Sequence, residues 1–221
     1  MNAAVSLCEA CAGSGWVNVA GDGEPRRMGR CACWKAKQAK AADGVPIEFQ
    51  DATLETYQET TSNHHALKFA RKWVASDVGR DVYVWGPVGS GKSRLAASLL
   101  NEFFQRSRSG YFARVPMLLL RLQPSDPQNS ELFWRTVETP LLVLDDVGAE
   151  RETATDFTRR TLLMLYEERG DRGLKTIWTS NKSLSELGDF MQDERLASRI
   201  AGRADVIELA GADWRVTRRM R

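Results

Sequence analysis

Eight residues constrain this chain more than any others: Gly86-Pro87-Val88-Gly89-Ser90-Gly91-Lys92-Ser93. They follow the apolar run Val82-Tyr83-Val84-Trp85 and precede Arg94-Leu95-Ala96-Ala97-Ser98-Leu99-Leu100, whose apolar positions recur at helical spacing. A buried strand, a glycine-rich turn and a helix in that order are the context in which a G-x-x-x-x-G-K-[ST] match counts as a P-loop. Its backbone N–H groups turn inward on an anion at the positive end of a helix. The sequence therefore predicts a nucleoside triphosphate held by residues Gly86 to Ser93 and the following Arg94. Lys92 neutralises the β- and γ-phosphates, and the Ser93 hydroxyl serves Mg²⁺.

Four aliphatic residues, Leu141-Leu142-Val143-Leu144, end in Asp145-Asp146. A strand buried on both faces cannot carry acids in its middle, so the pair belongs at its C-terminal end, where open α/β sheets bind ligands. Asp145 suits the Mg²⁺ shell, and Asp146 is placed to orient or deprotonate an attacking water. Glu150 is a fallback carboxylate. A later strand, Leu174 to Trp178, runs into Thr179-Ser180-Asn181; the amide either reads the γ-phosphate and lytic water or forms an Asx turn. Arg195 and Arg199 are spaced i and i+4 on one helix face. Such a pair is either a solvated face or a source of an arginine finger that reaches a neighbouring subunit's γ-phosphate.

Strands alternating with amphipathic helices indicate a three-layer α/β domain with a mainly parallel sheet. The helices are expected over 63–75, 117–122, 131–138 and 157–169, with a last strand at Val206 to Leu209. That leaves twelve residues, 210 to 221, too few for a C-terminal helical lid. Nucleotide closure is then expected to depend on an adjacent subunit, with Trp214-Arg215 a weaker contact in cis.

All four cysteines lie near the start, as Cys8-Glu-Ala-Cys11 and Cys31-Ala-Cys33. Two close pairs around a glycine-rich hairpin suit a tetrahedral Zn²⁺ site, and a segment this short and polar needs such a staple. Trp16 and Trp34 flank the pairs, either packed over the metal knuckle or exposed as stacking platforms. His64 and His65 read as surface residues. Asp43-Gly44-Val45-Pro46 breaks the pattern, which divides the chain into a zinc module (1–42), a linker and lead-in (43–62) and an ATPase domain (63–221). With 43% hydrophobic and 27% charged residues, and neither a long apolar run nor a signal peptide, a cytoplasmic protein without a membrane segment is expected. A net charge of +2 is neutral about nucleic acid. Basic runs at Arg26, Arg27, Arg30, Lys35, Lys37 and Lys40, and at Arg215, Arg218, Arg219 and Arg221, are either solvated surface or an electrostatic footprint.

The ordered set GPVGSGKS, LLVLDDVGAE, TIWTSN, RLASRI and DWR resembles the AAA+ ATPases of the bacterial helicase-loader group, DnaC and DnaI, and their phage counterparts. The resemblance spans about residues 46 to 221, and the cysteine-rich start fits the DnaI type. It implies that Lys92 and Ser93 bind MgATP, Asp145 holds the metal, Asn181 is the sensor and Arg199 the finger, with Arg195 in support. It also implies ATP-bound homo-oligomers that grip a hexameric replicative DNA helicase and contact single-stranded DNA. For that DNA the sequence offers Arg114, Arg121 and Arg135. Asp146 stands where glutamate is more general, which predicts slow hydrolysis. The competing readings are an IstB-type transposition helper, a small-molecule P-loop kinase, and a zinc adaptor using ATP as a structural ligand.

Overall fold

The computed structural model describes residues 8–11, 16–18, 28–31, 42–76, 80–107, 109–123, 129–149 and 153–211. Cys33, Trp34, Glu150, Trp214-Arg215 and most of both basic runs lie outside the described residues, as does the Trp16 side chain.

Near the N-terminus, β1 (Trp16–Asn18) pairs antiparallel with β2 (Met28–Arg30), Val17 opposite Gly29. This short hairpin joins the first two cysteines to the third.

The body is a five-stranded sheet in the order β4-β5-β6-β3-β7 with every neighbouring pair parallel. The strands are β3 (Asp81–Trp85), β4 (Tyr111–Arg114), β5 (Leu141–Val147), β6 (Lys175–Ser180) and β7 (Ala204–Glu208). Between them run α1 (His64–Ala75), α2 (Lys92–Ser107), α3 (Val115–Arg121), α4 (Asn129–Glu138), α5 (Asp156–Asp171), α6 (Leu184–Met191) and α7 (Glu194–Arg203).

Alternate residues of a strand face opposite sides, so the aliphatic runs feed two cores. Val82, Val84, Val143 and Ile177 pack with α1, α2 and the lead-in, whereas Tyr83, Leu142, Leu144 and Trp178 pack with α3 to α7. Burying each such side chain contributes roughly 1.5–3 kcal/mol, and the buried polar residues of the strands, among them Asp81, Asp145, Thr176 and Thr179, are hydrogen-bonded. No helix among the described residues is long and apolar enough to cross a membrane.

Two features were not expected. The helix α6 opens with Ser183, whose hydroxyl accepts from the Glu186 N–H while the Glu186 carboxylate accepts from the Ser183 N–H. That reciprocal cap was legible as S-x-x-E. The segment 43–62, read as a linker and lead-in, packs on the domain. Asp43 bridges the edge of β4 at Tyr111, Leu54 and Tyr57 are buried, and the buried Asn101 amide donates to the carbonyls of Phe49, Gln50 and Ala52.

The strand order places the site. β3 lies between β6 and β7, and β6 alone separates it from β5. The connection from β3 to β4 passes over β6 and β5, leaving a crevice at the C-terminal strand ends. The glycine-rich loop follows β3, the double aspartate lies in the last three residues of β5 and Asn181 follows β6, so all three stand at the C-terminal ends of the strands.

Candidate nucleotide site

The loop between β3 and α2 turns on three glycines in the left-handed region: Gly86 (φ 152), Gly89 (φ 76) and Gly91 (φ 98). Their small size also serves packing. A Cβ on Gly86 would lie 2.4 Å from the Leu209 carbonyl oxygen, and one on Gly91 would lie 2.3 Å from the Tyr57 hydroxyl. The Tyr57 hydroxyl donates to the Gly91 carbonyl at 3.2 Å, and burial pushes this phenol up to about 12, so it stays a donor. Neither Tyr57 nor Leu209 carries a motif signal, so sequence reasoning misses both.

Lys92 opens α2 and is 5% exposed. Its ammonium donates to the carbonyls of Gly86 (3.0 Å) and Pro87 (2.8 Å), which holds the charge over the loop. Ser90 is 2% exposed and its hydroxyl has no partner among the described residues. An orphaned hydroxyl, a captive ammonium and the first N–H groups of a helix together form an anion cradle, and a triphosphate fits that donor set. Pro87 and Val88 form the exposed tip of the loop. Arg94 turns away from the cradle: its guanidinium donates to the Thr56 carbonyl at 3.1 Å and stacks over the Tyr57 ring.

Asp145 is 3% exposed and accepts from the Thr179 hydroxyl at 2.6 Å. Burial pushes its carboxyl above the usual range and the Asp146 charge adds to this, while hydrogen bonds from Thr179 and Ser93 and the Arg114 charge oppose it. The two residues expected at Mg²⁺ are thus neighbours, the Ser93 hydroxyl being close enough to favour the Asp145 carboxylate. A buried carboxylate whose charge is disfavoured, next to a hydroxyl, fits a divalent cation. Asp146 is half-buried with its backbone in the left-handed region (φ 61).

Asn181 is exposed, one residue past β6. Arg195 and Arg199 are both exposed on α7, and each is engaged within the chain. Arg195 forks onto Asp193, the residue capping α7, at 2.6–3.0 Å, and Arg199 pairs with Glu167 on α5. His64 pairs with Glu59, and His65 bonds the Glu208 carbonyl.

At the N-terminus the sulfurs of Cys8, Cys11 and Cys31 lie within 4.8 Å of one another, with Cys8 and Cys31 at 3.8 Å. Zn–S bonds of about 2.3 Å in a tetrahedron set their sulfurs about 3.8 Å apart. A disulfide needs about 2.0 Å. Thiolate donors at this spacing fit Zn²⁺.

A strand–P-loop–helix unit, an acid-ended strand and this sheet order agree with comparison to known proteins. The profile of the family described as IstB-like ATP binding protein matches residues 45–221. The chain belongs to that family. This IstB-like protein is 28% identical to the replicative helicase loader DnaI of Bacillus subtilis over 148 residues, covering 66% of the chain and 47% of DnaI. It is 31% identical to the insertion-sequence ATP-binding protein y4pL of Sinorhizobium fredii over 153 residues, 66% of the chain and 60% of y4pL. The chain thus spans about half to three fifths of the length of these relatives. Among solved structures, DnaI superposes with a TM-score of 0.67 at 26% identity, over 76% of this chain and 95% of that one. The DnaC helicase loader gives 0.67 at 24% identity, over 75% of this chain and 100% of that one, a likeness of fold. The IstB-like protein is therefore an α/β P-loop NTPase homologous to both helicase loaders and insertion-sequence ATP-binding proteins.

Proposed function

We propose that this IstB-like protein is a cytoplasmic, ATP-dependent helicase loader. It engages a hexameric replicative DNA helicase and helps deposit it on single-stranded DNA. ATP binds the Gly86–Ser93 cradle, with Lys92 on the β- and γ-phosphates. Ser93 and Asp145 hold Mg²⁺, which when bound neutralises charge on the phosphates. Asp146 takes the proton of the attacking water and Asn181 orients it. Arg199, with Arg195 beside it, serves the γ-phosphate of the next subunit in an ATP-bound homo-oligomer, and to do so must leave Glu167. An exposed ion pair is worth roughly 0–1 kcal/mol, so that release is cheap.

The observation that carries the loader reading is the thiol cluster of Cys8, Cys11 and Cys31 ahead of the P-loop body, for which the sequence offers Cys33 as a fourth ligand. A Zn²⁺-stapled module over residues 1–42 supplies a separate grip for the helicase. Arg121 offers a phosphate contact for DNA, whereas Arg114 pairs with Glu48 at 3.6 Å and Arg135 already serves Asp43 and the Tyr111 ring. The second reading, a transposition helper, is favoured by the family profile and by y4pL.

Co-purification from a bacterial lysate with and without ATP separates the two. A replicative helicase retained only with ATP, and lost in Lys92→Ala, supports loading. A transposase retained in its place overturns it.

A further inference from the structure

The parallel register between β5 and β6 breaks at the double aspartate. Leu144 lies opposite Trp178, yet the next matched pair is Val147 with Ser180. Asp145 and Asp146 together therefore face one residue, Thr179, and the strand bulges. In a regular strand two consecutive side chains point to opposite faces, so one carboxylate alone would serve the crevice. A bulge re-aims a side chain, and bulges are over-represented beside active sites. Here it forces Asp146 into the left-handed region.

One hydroxyl closes this bulge. Thr179 is 0% exposed; its Oγ1 donates to Asp145 Oδ1 at 2.6 Å and accepts from the Asp146 N–H at 3.0 Å. The next residue continues the seam: the Ser180 hydroxyl donates to the Val147 carbonyl at 2.7 Å and accepts from the Lys182 N–H at 3.1 Å. A β-branched threonine in a strand has few χ1 choices, so its hydroxyl is aimed by the backbone. Valine in its place would fill the same volume but leave a buried carboxylate oxygen and the half-buried Asp146 N–H without this partner.

We propose that Thr179 is the positioning residue of the hydrolytic site, its hydroxyl holding the bulge that divides two adjacent aspartates between metal and water. Thr179 touches neither nucleotide nor metal; it acts through Asp145 and Asp146. This rests on the ATPase reading above. Because the P-loop lies on another strand, substrate affinity is left to Lys92 and its loop. Thr179 governs turnover.

The test compares Thr179→Val with Thr179→Ser in steady-state ATP hydrolysis by the full chain with partner and DNA. Misplacing a catalytic group by about 1 Å costs on the order of 100-fold. Thr179→Val is expected to lose about that much kcat, with KM for ATP within about threefold. Thr179→Ser is expected to stay within about threefold of the parent. The Mg²⁺ concentration for half-maximal rate rises about tenfold in the valine variant if Asp145 is displaced, while a fluorescent ATP analogue in EDTA binds all the chains equally. Wild-type kcat in Thr179→Val, equal losses in both variants, or a rise in KM alone overturns the inference. Should the valine chain not fold, amide exchange at Asp146 decides: strong protection, retained in Thr179→Ser, is expected, and a freely exchanging amide overturns it. A parent chain without Mg²⁺-dependent hydrolysis overturns the ATPase reading itself, and with it any role of Thr179 in turnover.

Discussion

Asp146 sits where the backbone excludes most side chains. Left-handed residues other than glycine cost roughly 1–2 kcal/mol, and aspartate and asparagine bear it best because their short polar groups bond locally. The bulge thus gives a reason for aspartate where glutamate is more general: the longer acid fits the φ of 61° less well. Asp146→Asn is expected to keep stability and ATP binding while hydrolysis falls at least about 100-fold. Asp146→Glu is expected to lower unfolding free energy by about 1 kcal/mol in urea titration. An unchanged midpoint in the glutamate variant would mean the bulge relaxes. At the start of α7, the Arg195 fork and N–H hold the Asp193 carboxyl down to about 2. A depressed carboxylate stabilises the folded chain above its ordinary value and loses that as pH falls through the folded one. Asp193 should therefore keep capping α7 through pH 3, with an NMR titration midpoint near 2 that returns toward the usual 3.8 in Arg195→Ala. A midpoint unmoved by that change would show the pair to be open in solution.

Elements were legible in proportion to how locally their cause is written. The flanks of the P-loop, the acid-ended β5 and the amphipathic α1 and α5 follow from neighbours in sequence. The role of Thr179 depends on which residue of β6 lies opposite β5, a register no single segment encodes. Tyr57 reaches Gly91 across the lead-in for the same reason. The clearest long-range case is Arg169 on α5, 1% exposed. Its guanidinium donates to the carbonyls of Thr136, Val137, Thr139 and Lys175 and to the Thr176 hydroxyl. It thereby closes the C-terminal end of α4, whose last carbonyls have no intrahelical partner, and ties it to the start of β6. Burial pulls this guanidinium down to about 10, still charged at neutral pH. Arg169→Met fills the volume but strands those acceptors, and a loss of about 3–5 kcal/mol is expected in denaturant unfolding. A loss under about 1 kcal/mol would show that water replaces it.

For the whole molecule, the P-loop body carries two full cores, whereas the described residues around the N-terminal hairpin carry a thiol cluster. Their stabilities should separate. Chelation of Zn²⁺ is expected to abolish amide protection in β1 and β2 while the melting temperature and ATP affinity of the body remain. Loss of ATP binding on chelation would show that the halves fold together.

The vacant Cβ positions of Gly86 and Gly91 are filled by Leu209 and Tyr57, residues from beyond both ends of the strand–loop–helix unit. The phosphate cradle is consequently not a portable cassette. A chain trimmed to begin at Asn63, ahead of α1, keeps every motif residue from Gly86 to Arg199 yet uncovers one wall of its own loop. It should survive as a folded sheet with a slack, low-affinity mouth.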